Sequence, residues 1–188
     1  MRFLVVTLKG PMMSFGGAKV DAHHVTRRHP GQSMVAGLIA NALGYHHRDW
    51  ERTQRLQRRL RYACRADRDG HVLEDYHTVD LGQEHLLSDR GWTTQGALEE
   101  RAGGSASTTT HIRQRDYIAD GVRTLVLRLE PARETPTLDD IHRALSNPER
   151  PLFIGRKCCV PSRPLVRSEG AFVHASSLEE ALRAAPWP

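Results

Sequence analysis

Residues 2–17, RFLVVTLKGPMMSFGG, join an apolar strand to an open loop that contains three glycines and one proline. Residues 3–8 are apolar enough to predict a buried strand. Glycine has no Cβ and proline has a fixed φ, so residues 10–17 form a bent segment that another group can approach closely. The loop also carries three large side chains, Met12, Met13 and Phe15. They either fill the core below the loop or offer a surface to flat ligands such as nucleobases.

Positive charge is concentrated in the first third of the chain. The 188 residues carry a formal net charge of +5, yet residues 1–65 hold 12 Lys and Arg against 3 Asp and Glu, and residues 66–188 hold 15 against 19. A basic segment of this kind favours an anionic partner such as nucleic acid. Arg outnumbers Lys 24 to 3. Guanidinium groups bind phosphates and stack on bases, but genome composition can produce the same excess.

The chain has neither a membrane-spanning pattern nor the cysteine spacing of a secreted domain. Its amino-terminal apolar run is short and is followed by no cleavage-type site, so we expect a cytoplasmic protein without membrane contact. The three cysteines are Cys64, Cys158 and Cys159. An odd number without framework spacing fits a reducing compartment, and we interpret all three as packing residues.

Two helical segments follow the loop. Residues 33–45, SMVAGLIANALGY, predict an apolar helix with Ser33 as its N-cap and Gly44 at its end. Residues 49–62, DWERTQRLQRRLRY, predict a second helix with Trp50, Leu56 and Leu60 on one side. Another side of that helix carries the arginines Arg48, Arg52, Arg55 and Arg59. This stripe is either a solvated helix face or a face that follows phosphates.

The remaining periodic segments alternate between strands and helices. Residues 60–66 and 71–79 predict a hairpin around Asp69 and Gly70. Further elements are predicted at residues 122–129 (strand), 137–146 (capped helix with Asp139 and Asp140 in its first turn) and 176–185 (helix). The order strand, helix, strand, excursion, strand, helix predicts an α+β fold with a βαββαβ core of ferredoxin-like type.

Residues 80–121 interrupt this pattern. They contain several glycines, the run SASTTT and few core-forming residues, so we predict a long excursion rather than an independently folded unit. Long loops inside compact domains are usually functional. Arg113 and Arg115 beside Tyr117 indicate a function for this one.

The local motifs of common enzyme classes are absent from the sequence. It has no Walker-type phosphate loop, GxSxG elbow, HExxH or paired CxxC. The adjacent histidines His23/His24 and His46/His47 are poorly placed to share one ion, and no flanking carboxylates complete a ligand set. We therefore expect no metal site and no cofactor.

Metal-independent cleavage of RNA remains chemically open, because it needs only a base, an acid and a cation for the phosphorane. The side chains that can supply these are Tyr45, His77, His111 and Lys157. Each also has a structural interpretation, as a helix-end cap, a strand residue, a loop residue and a simple phosphate contact, respectively.

A second local signal is PLFIGRKCCVPSRPL at residues 151–165. Gly155 lies between three strand-like residues and the pair Arg156 and Lys157, so the backbone can approach a phosphate that two cations flank. The alternative is a structural turn with exposed charge.

Together these segments resemble the CasD family, which supplies subunit five of the type I-E CRISPR Cascade complex and belongs to the RAMP superfamily. The resemblance covers nearly the whole chain. It rests on four segments in the same order: GPMMSFGG, HPGQSMVAGLIANALGY, DYHTV at residues 75–79 and PLFIGRKCCVPSRPL.

The resemblance implies a single RAMP domain over residues 1–188, with a ferredoxin-like, RRM-like core. A thumb insertion is expected at about residues 80–121, between the second and third core strands, and a short helical segment at about 176–185. The implied function is that of a non-catalytic subunit that holds the 5′ handle of the CRISPR RNA in antiviral defence. Such a subunit caps the backbone filament, contacts the large PAM-reading subunit and meets target DNA through the complex.

The candidate RNA-binding residues are Met12, Ser14, Phe15, Gly16, Arg27, Arg28, Gln32, Ser33, Tyr45, His77, Arg113, Arg115, Gly155, Arg156 and Lys157. Met12 and Phe15 are expected to position bases and the arginines to bind phosphates, while Met13 keeps its interpretation as a core residue. The helix that opens near Ser33 adds backbone N–H donors. Two other functions are considered: a metal-independent endoribonuclease that processes CRISPR repeat RNA, and a generic RNA-binding module outside CRISPR systems.

Overall fold

The computed structural model describes residues 1–20, 22–80, 90–92, 98–100 and 110–188 and shows a mixed α+β fold. The helices are α1 (Gln32–Ala42), α2 (Trp50–Arg59), α3 (Leu138–Ser146) and α4 (Leu178–Ala184). The strands are β1 (Arg2–Lys9), β2 (Met12–Met13), β3 (Lys19–Val20), β4 (His23–His24), β5 (Leu60–Arg68), β6 (His71–Asp80), β7 (Arg90–Trp92), β8 (Leu98–Glu100), β9 (Thr110–Ala119), β10 (Val122–Leu129) and β11 (Phe172–His174). Over these ranges, no helix is long and apolar enough to cross a bilayer.

The first sheet is antiparallel and has the strand order β11–β1–β10–β5. Strand β1 is buried on both faces, in agreement with its nearly continuous apolar sequence, in which only Thr7 is polar between Phe3 and Leu8. Leu4, Val6 and Leu8 belong to the main core with residues of α1 and α3. Phe3 and Val5 pack in a smaller core with residues of α4. Alternate side chains of one strand thus serve two helical layers.

The second sheet is built around β9. Its order is β2–β9–β4–β3, and β6 pairs with β9 outside that path. Strand β4 runs parallel to β9, with His23 opposite Gln114, whereas β6 runs antiparallel to β9 from His71↔Ala119 to Asp80↔Thr110. The predicted excursion therefore contains a regular strand, β9. Residues 81–89, 93–97 and 101–109 of that excursion lie outside the described residues.

The predicted hairpin between residues 60–66 and 71–79 is wrong. Strand β5 pairs with β10 and β6 pairs with β9, so the two segments continue one another into different sheets. Gly70 has a φ of +70°, and an added Cβ would lie 2.2 Å from the carbonyl oxygen of Ala119. The Asp69–Gly70 pair therefore marks a bend in a long two-stranded ladder rather than a chain reversal.

A buried arginine stabilises this bend. The side chain of Arg123, on β10, is 1% exposed. Its guanidinium donates to the carbonyl oxygens of Arg28 at 3.0 Å and Asp69 at 3.1 Å, and also to that of Arg68. One side chain thus connects the first sheet, the bend and the basic segment before α1.

The helix ends follow the sequence in part. The prediction of Ser33 as N-cap is wrong: α1 begins at Gln32, and its N-cap is Gly31, which provides no side-chain cap. Gly44 does terminate the helix, with a φ of +75°. The capped helix predicted at 137–146 is confirmed, because Thr137 and Asp140 form a capping box at the start of α3.

Candidate nucleic-acid interface

A cleft of about 450 Å³ lies where the glycine-containing loop, the segment after β4, the start of α1 and the 151–165 segment meet. Its lining includes Ser14, Gly16, His24, Ser33, Gly155 and Arg156. The fold therefore brings together three of the four segments that carried the sequence resemblance.

Backbone contacts hold the walls of this cleft together. The amide of Ser14 donates to the carbonyl of Ile154 at 3.0 Å, and the amide of Arg27 donates to that of Gly16 at 2.7 Å. Gly155 has a φ of +101°, and an added Cβ would lie only 1.7 Å from the carbonyl oxygen of Ser14. Only glycine permits this approach, so the requirement for Gly155 comes from loop packing within the protein.

Exposed cations flank the cleft. Arg27 and Arg28 precede α1 and Lys157 follows Gly155, and all three are exposed. Across the described parts of the chain, no carboxylate lies within 4.0 Å of their charged groups. Their charge is therefore available to an external anion.

Arg156 is engaged within the protein. Its guanidinium donates to the carbonyl oxygens of Asp116 at 3.0 Å and His24 at 3.4 Å, and it stacks 4.8 Å from the centre of the Tyr117 ring. It thus connects the 151–165 segment to the second sheet. Lys157, in contrast, presents its ammonium group to solvent.

The β6–β9 ladder carries a separate group of polar residues. His77 lies opposite Arg113, and Asp75 lies opposite Arg115, so these four share one face. The His77 Nε2 is 2.7 Å from Asp75 Oδ2. Tyr76 lies on the other face and is largely exposed. Tyr76 was not among the predicted RNA-binding residues, although the alternation of side chains along a strand already placed it on the face opposite His77.

Comparison with known proteins identifies the family. A family model described as "CRISPR-associated protein (Cas_Cas5)" matches residues 3–188. The chain belongs to this family. It is 28% identical over 171 residues to the CRISPR system Cascade subunit CasD of Escherichia coli strain K12, which covers 87% of this chain and 69% of that relative. The resemblance to the CasD family seen in the sequence is confirmed.

Two solved structures of this CRISPR-associated type are similar to the chain. One, titled "CRISPR RNA-guided surveillance complex", has a TM-score of 0.64 and 28% identity, and the match covers 87% of this chain and 61% of that chain. The other, "Crystal structure of Cas protein", has a TM-score of 0.60 and 27% identity, with 96% and 69% covered. This family member therefore spans less than two thirds of the length of the first structure.

The glycine-containing loop at residues 10–17 contributes more of its side chains to the core than expected. Met13 is 0% and Phe15 is 2% exposed, and both belong to the main core. Phe15 is among the residues that line the cleft, but so little of it is exposed that a base has almost no surface of its ring to stack on. Met12 is partly buried and pairs with Ala119 in the second sheet.

Gln32 and Tyr45 lie away from the cleft lining and make internal contacts. The Gln32 Nε2 donates to the carbonyl oxygens of Gln57 at 2.8 Å and Leu60 at 3.0 Å, which fixes the junction of α2 and β5. The Tyr45 ring is covered by the Arg52 guanidinium at 4.1 Å. Tyr45 follows the end of α1, whereas Ser33 is at its start, about 15 Å away for a helix of this length.

Most arginines of the predicted stripe on α2 make contacts with other residues of the protein. Arg55 pairs with Glu134 at 2.6 Å. Arg59 is 5% exposed and donates to the carbonyl oxygens of Pro131 and Pro136. Trp50, predicted on the apolar side, is 56% exposed. These contacts favour a structural role for the stripe over a phosphate-following one.

Cys64 and Cys159 behave as packing residues, whereas the packing interpretation of Cys158 is wrong because this residue is exposed. Burial raises the pKa of Cys64 to about 11 and that of Cys159 to about 12, so both remain protonated thiols at neutral pH. Cys158 is exposed, and its Sγ lies 3.5 Å from the Tyr117 hydroxyl.

Proposed function

We propose that this family member is a non-catalytic RNA-binding subunit of a type I-E Cascade complex and holds the 5′ handle of the CRISPR RNA. The observation that carries the proposal is the cleft between the glycine-containing loop and the Gly155 turn, beside which Arg27, Arg28 and Lys157 form no ion pair with any residue that the structure describes. The relative named as a Cascade subunit and the structure titled as an RNA-guided complex support it.

Phosphates are the expected ligands of the cleft. Guanidinium and ammonium groups that lack intramolecular partners bind the backbone of a single RNA strand without base preference. The start of α1 adds donors, because Gly31 has no side chain to cap the first N–H groups and Ser33 and Met34 line the cleft. In this proposal the RNA bases contact Met12 and side chains of the β6–β9 ladder. The ladder residues are His77, Arg113, Arg115 and Tyr76.

The architecture supports the proposed place in a larger assembly. Numbered in chain order, the core strands of the first sheet lie in the order fourth, first, third, second, and α1 and α3 pack on one face. This order supports the proposed ferredoxin-like core. We assign the β6–β9 ladder, inserted between the second and third core strands, to the thumb. In this proposal the thumb crosses the guide RNA, while the remaining surface meets the backbone filament and the large subunit, and target DNA is reached through the complex in the cytoplasm.

The endoribonuclease alternative receives less support. Tyr45 is stacked under Arg52 at the far end of α1 from the cleft, and His77 lies on the ladder beside Asp75. An acid and a base must both reach one phosphate, and these side chains belong to different parts of the fold. Incubation of the chain with repeat RNA in EDTA tests this directly, and we expect no cleavage.

The proposal is tested by a charge-removal variant of the assembled complex. We expect Arg27→Ala/Arg28→Ala to weaken binding of handle RNA about tenfold at moderate salt, as two phosphate contacts are lost. The slope of log affinity against log salt should decrease by about 1.4, since each contact to a single strand contributes about 0.7. The matched control Arg133→Ala/Arg183→Ala removes two exposed guanidinium groups elsewhere and should leave both values unchanged. Equal effects of the two double variants would contradict the proposal.

A further inference from the structure

A compact group of metal-ligating side chains lies outside the cleft lining, where β4, β6 and β9 meet. His23 Nε2 is 2.7 Å from Asp116 Oδ1 and 3.7 Å from Glu74 Oε2. One ligand atom from each of the three residues lies within 4.8 Å of the other two. The side chains of His23 and Glu74 are partly exposed, while that of Asp116 is 13% exposed. The group is anchored in the sheet and open to solvent on one side.

Strand pairing, rather than chance surface proximity, holds these residues together. Glu74 and Asp116 are direct partners in the antiparallel β6–β9 ladder. Two carboxylates that face each other across a ladder repel unless a cation lies between them. The parallel pairing of β4 with β9 brings the His23 imidazole to that position.

We propose that His23, Glu74 and Asp116 bind one first-row divalent transition-metal ion of the Zn²⁺ type. Metal–nitrogen and metal–oxygen distances of about 2.0–2.2 Å place neighbouring ligands of a tetrahedral site about 3.4 Å apart. The observed separations of 2.7 and 3.7 Å lie on either side of this value, so adjustments of less than about 1 Å in side-chain position suffice. The fourth position is left to water.

The donor set selects the class of metal. One imidazole nitrogen with two carboxylate oxygens suits Zn²⁺, Co²⁺ or Mn²⁺, whereas Mg²⁺ and Ca²⁺ prefer oxygen ligands alone. A further contact orients one of the ligands: Gln114 Nε2 donates to Glu74 Oε1 at 3.2 Å, which leaves Glu74 Oε2 directed at His23. Such outer contacts are typical of metal sites in proteins.

The proposed site differs from the expectation drawn from the sequence. No carboxylates flanking the adjacent histidines completed a ligand set there, and we therefore expected no metal. The fold supplies them from other strands, since Asp116 is 93 residues from His23 in the chain. An ion bound here ties β4, which leads into Arg27 and Arg28, to the β6–β9 ladder. Its role is to fix one wall of the cleft, and no reaction is assigned to it.

Titration of the metal-free 188-residue chain, purified without a polyhistidine tag, tests the site. We expect Zn²⁺ to bind with one ion per chain by calorimetry, and Co²⁺ to give the visible absorption of a four-coordinate site. His23→Gln and Asp116→Asn should each weaken Zn²⁺ binding at least about tenfold, and Mg²⁺ at the same concentration should give no signal. The control His46→Ala/His47→Ala removes the other adjacent histidine pair and should bind like the unmodified chain.

Three results would overturn the proposal: no stoichiometric Zn²⁺ binding by the unmodified chain, unchanged binding by His23→Gln, or loss of binding in the His46→Ala/His47→Ala control. Thermal unfolding in EDTA checks that each variant is folded. If His23→Gln or Asp116→Asn is not, Glu74→Gln replaces it, because this isosteric change on an exposed strand keeps the ladder intact. Full binding by folded Glu74→Gln would likewise exclude the site.

Discussion

The Nε of Arg123 donates a 3.0 Å hydrogen bond to the carbonyl oxygen of Arg28. The buried guanidinium of Arg123 thus holds the backbone of the exposed residue Arg28 in place. The same guanidinium holds the carbonyls of Arg68 and Asp69, so the bend of the long ladder and the basic edge of the cleft share one internal connection. The exposed charge of the cleft is therefore positioned from inside the protein.

Replacing Arg123 with Met should be among the most destabilising single changes in the chain. It removes several partly buried hydrogen bonds to backbone carbonyl groups, and we expect a loss of about 3 kcal/mol in the free energy of unfolding. Denaturant unfolding measures this. Arg123→Lys keeps the charge without the planar fork and should recover only part of the loss. Stability close to that of the unmodified chain for Arg123→Met would show that the buried bonds contribute little.

Gly155→Ala should separate the two walls of the cleft. The new Cβ would lie 1.7 Å from the Ser14 carbonyl oxygen at a φ of +101°, so the loops must move apart. We expect a loss of about 2 kcal/mol or more, together with weaker binding of handle RNA. Gly37→Ala is the matched control, because nothing lies within 4 Å of its added Cβ inside α1. That change should stabilise the helix by about 0.5–1 kcal/mol. Similar behaviour of the two variants would contradict the packing argument.

The contact between His23 and Asp116 should make stability depend on pH when no metal is present. The hydrogen bond to Asp116 raises the pKa of His23 above its usual value of 6.5 in spite of partial desolvation, and the charge of Glu74 acts in the same direction. Because the folded-state pKa is raised, the stabilisation is complete below about pH 6.5 and disappears as the pH rises through the folded-state pKa. Unfolding of the unmodified chain and of His23→Gln in EDTA, from pH 5 to pH 9, measures the difference. An advantage of the unmodified chain that is constant over this range would exclude the effect.

Thr137→Ala should weaken α3 by removing half of its capping box. The Thr137 hydroxyl accepts from the Asp140 amide, and the Asp140 carboxylate accepts from the Thr137 amide. We expect a loss of about 1 kcal/mol, and Thr137→Ser should restore most of it. The hydrogen bonds that the Thr137 amide and hydroxyl donate to the Asp140 carboxylate lower the pKa of Asp140, so its contribution is present above about pH 3.8 and is lost as the pH falls through the lower folded-state value. Equal stability of the Ala and Ser variants would contradict a capping role.

Much of the fold follows from local sequence patterns. The apolar run of β1, the glycine that ends α1 and the capped start of α3 are all encoded within a few residues, and each was predicted. The Asp69–Gly70 pair misled the prediction, because the same turn chemistry serves a hairpin or a bend between sheets. Only the pairing partners, β10 and β9, distinguish the two, and they lie about 50 residues further along the chain.

The candidate sites depend still more on long-range contacts. The loop at residues 10–17 and the Gly155 turn were each identified as open backbone, but their packing against one another rests on pairings across the whole chain. Phe15 and Arg59 are typical surface-binding residue types that the fold buries. The group of His23, Glu74 and Asp116 has no local signature, since each ligand comes from a different strand.

The continuous ladder from β5–β10 through β6–β9 also has an evolutionary consequence. The register of β6 with β9 is regular from His71↔Ala119 out to the pair Asp80 and Thr110, whereas the β5–β10 register shifts once, between Val122 and Arg123. An insertion or deletion between Asp80 and Thr110 lies beyond the last pair of the β6–β9 ladder and leaves its inner pairings unchanged. We therefore expect members of the family to differ in the length of the segment between Asp80 and Thr110 without any rearrangement of the core or the cleft.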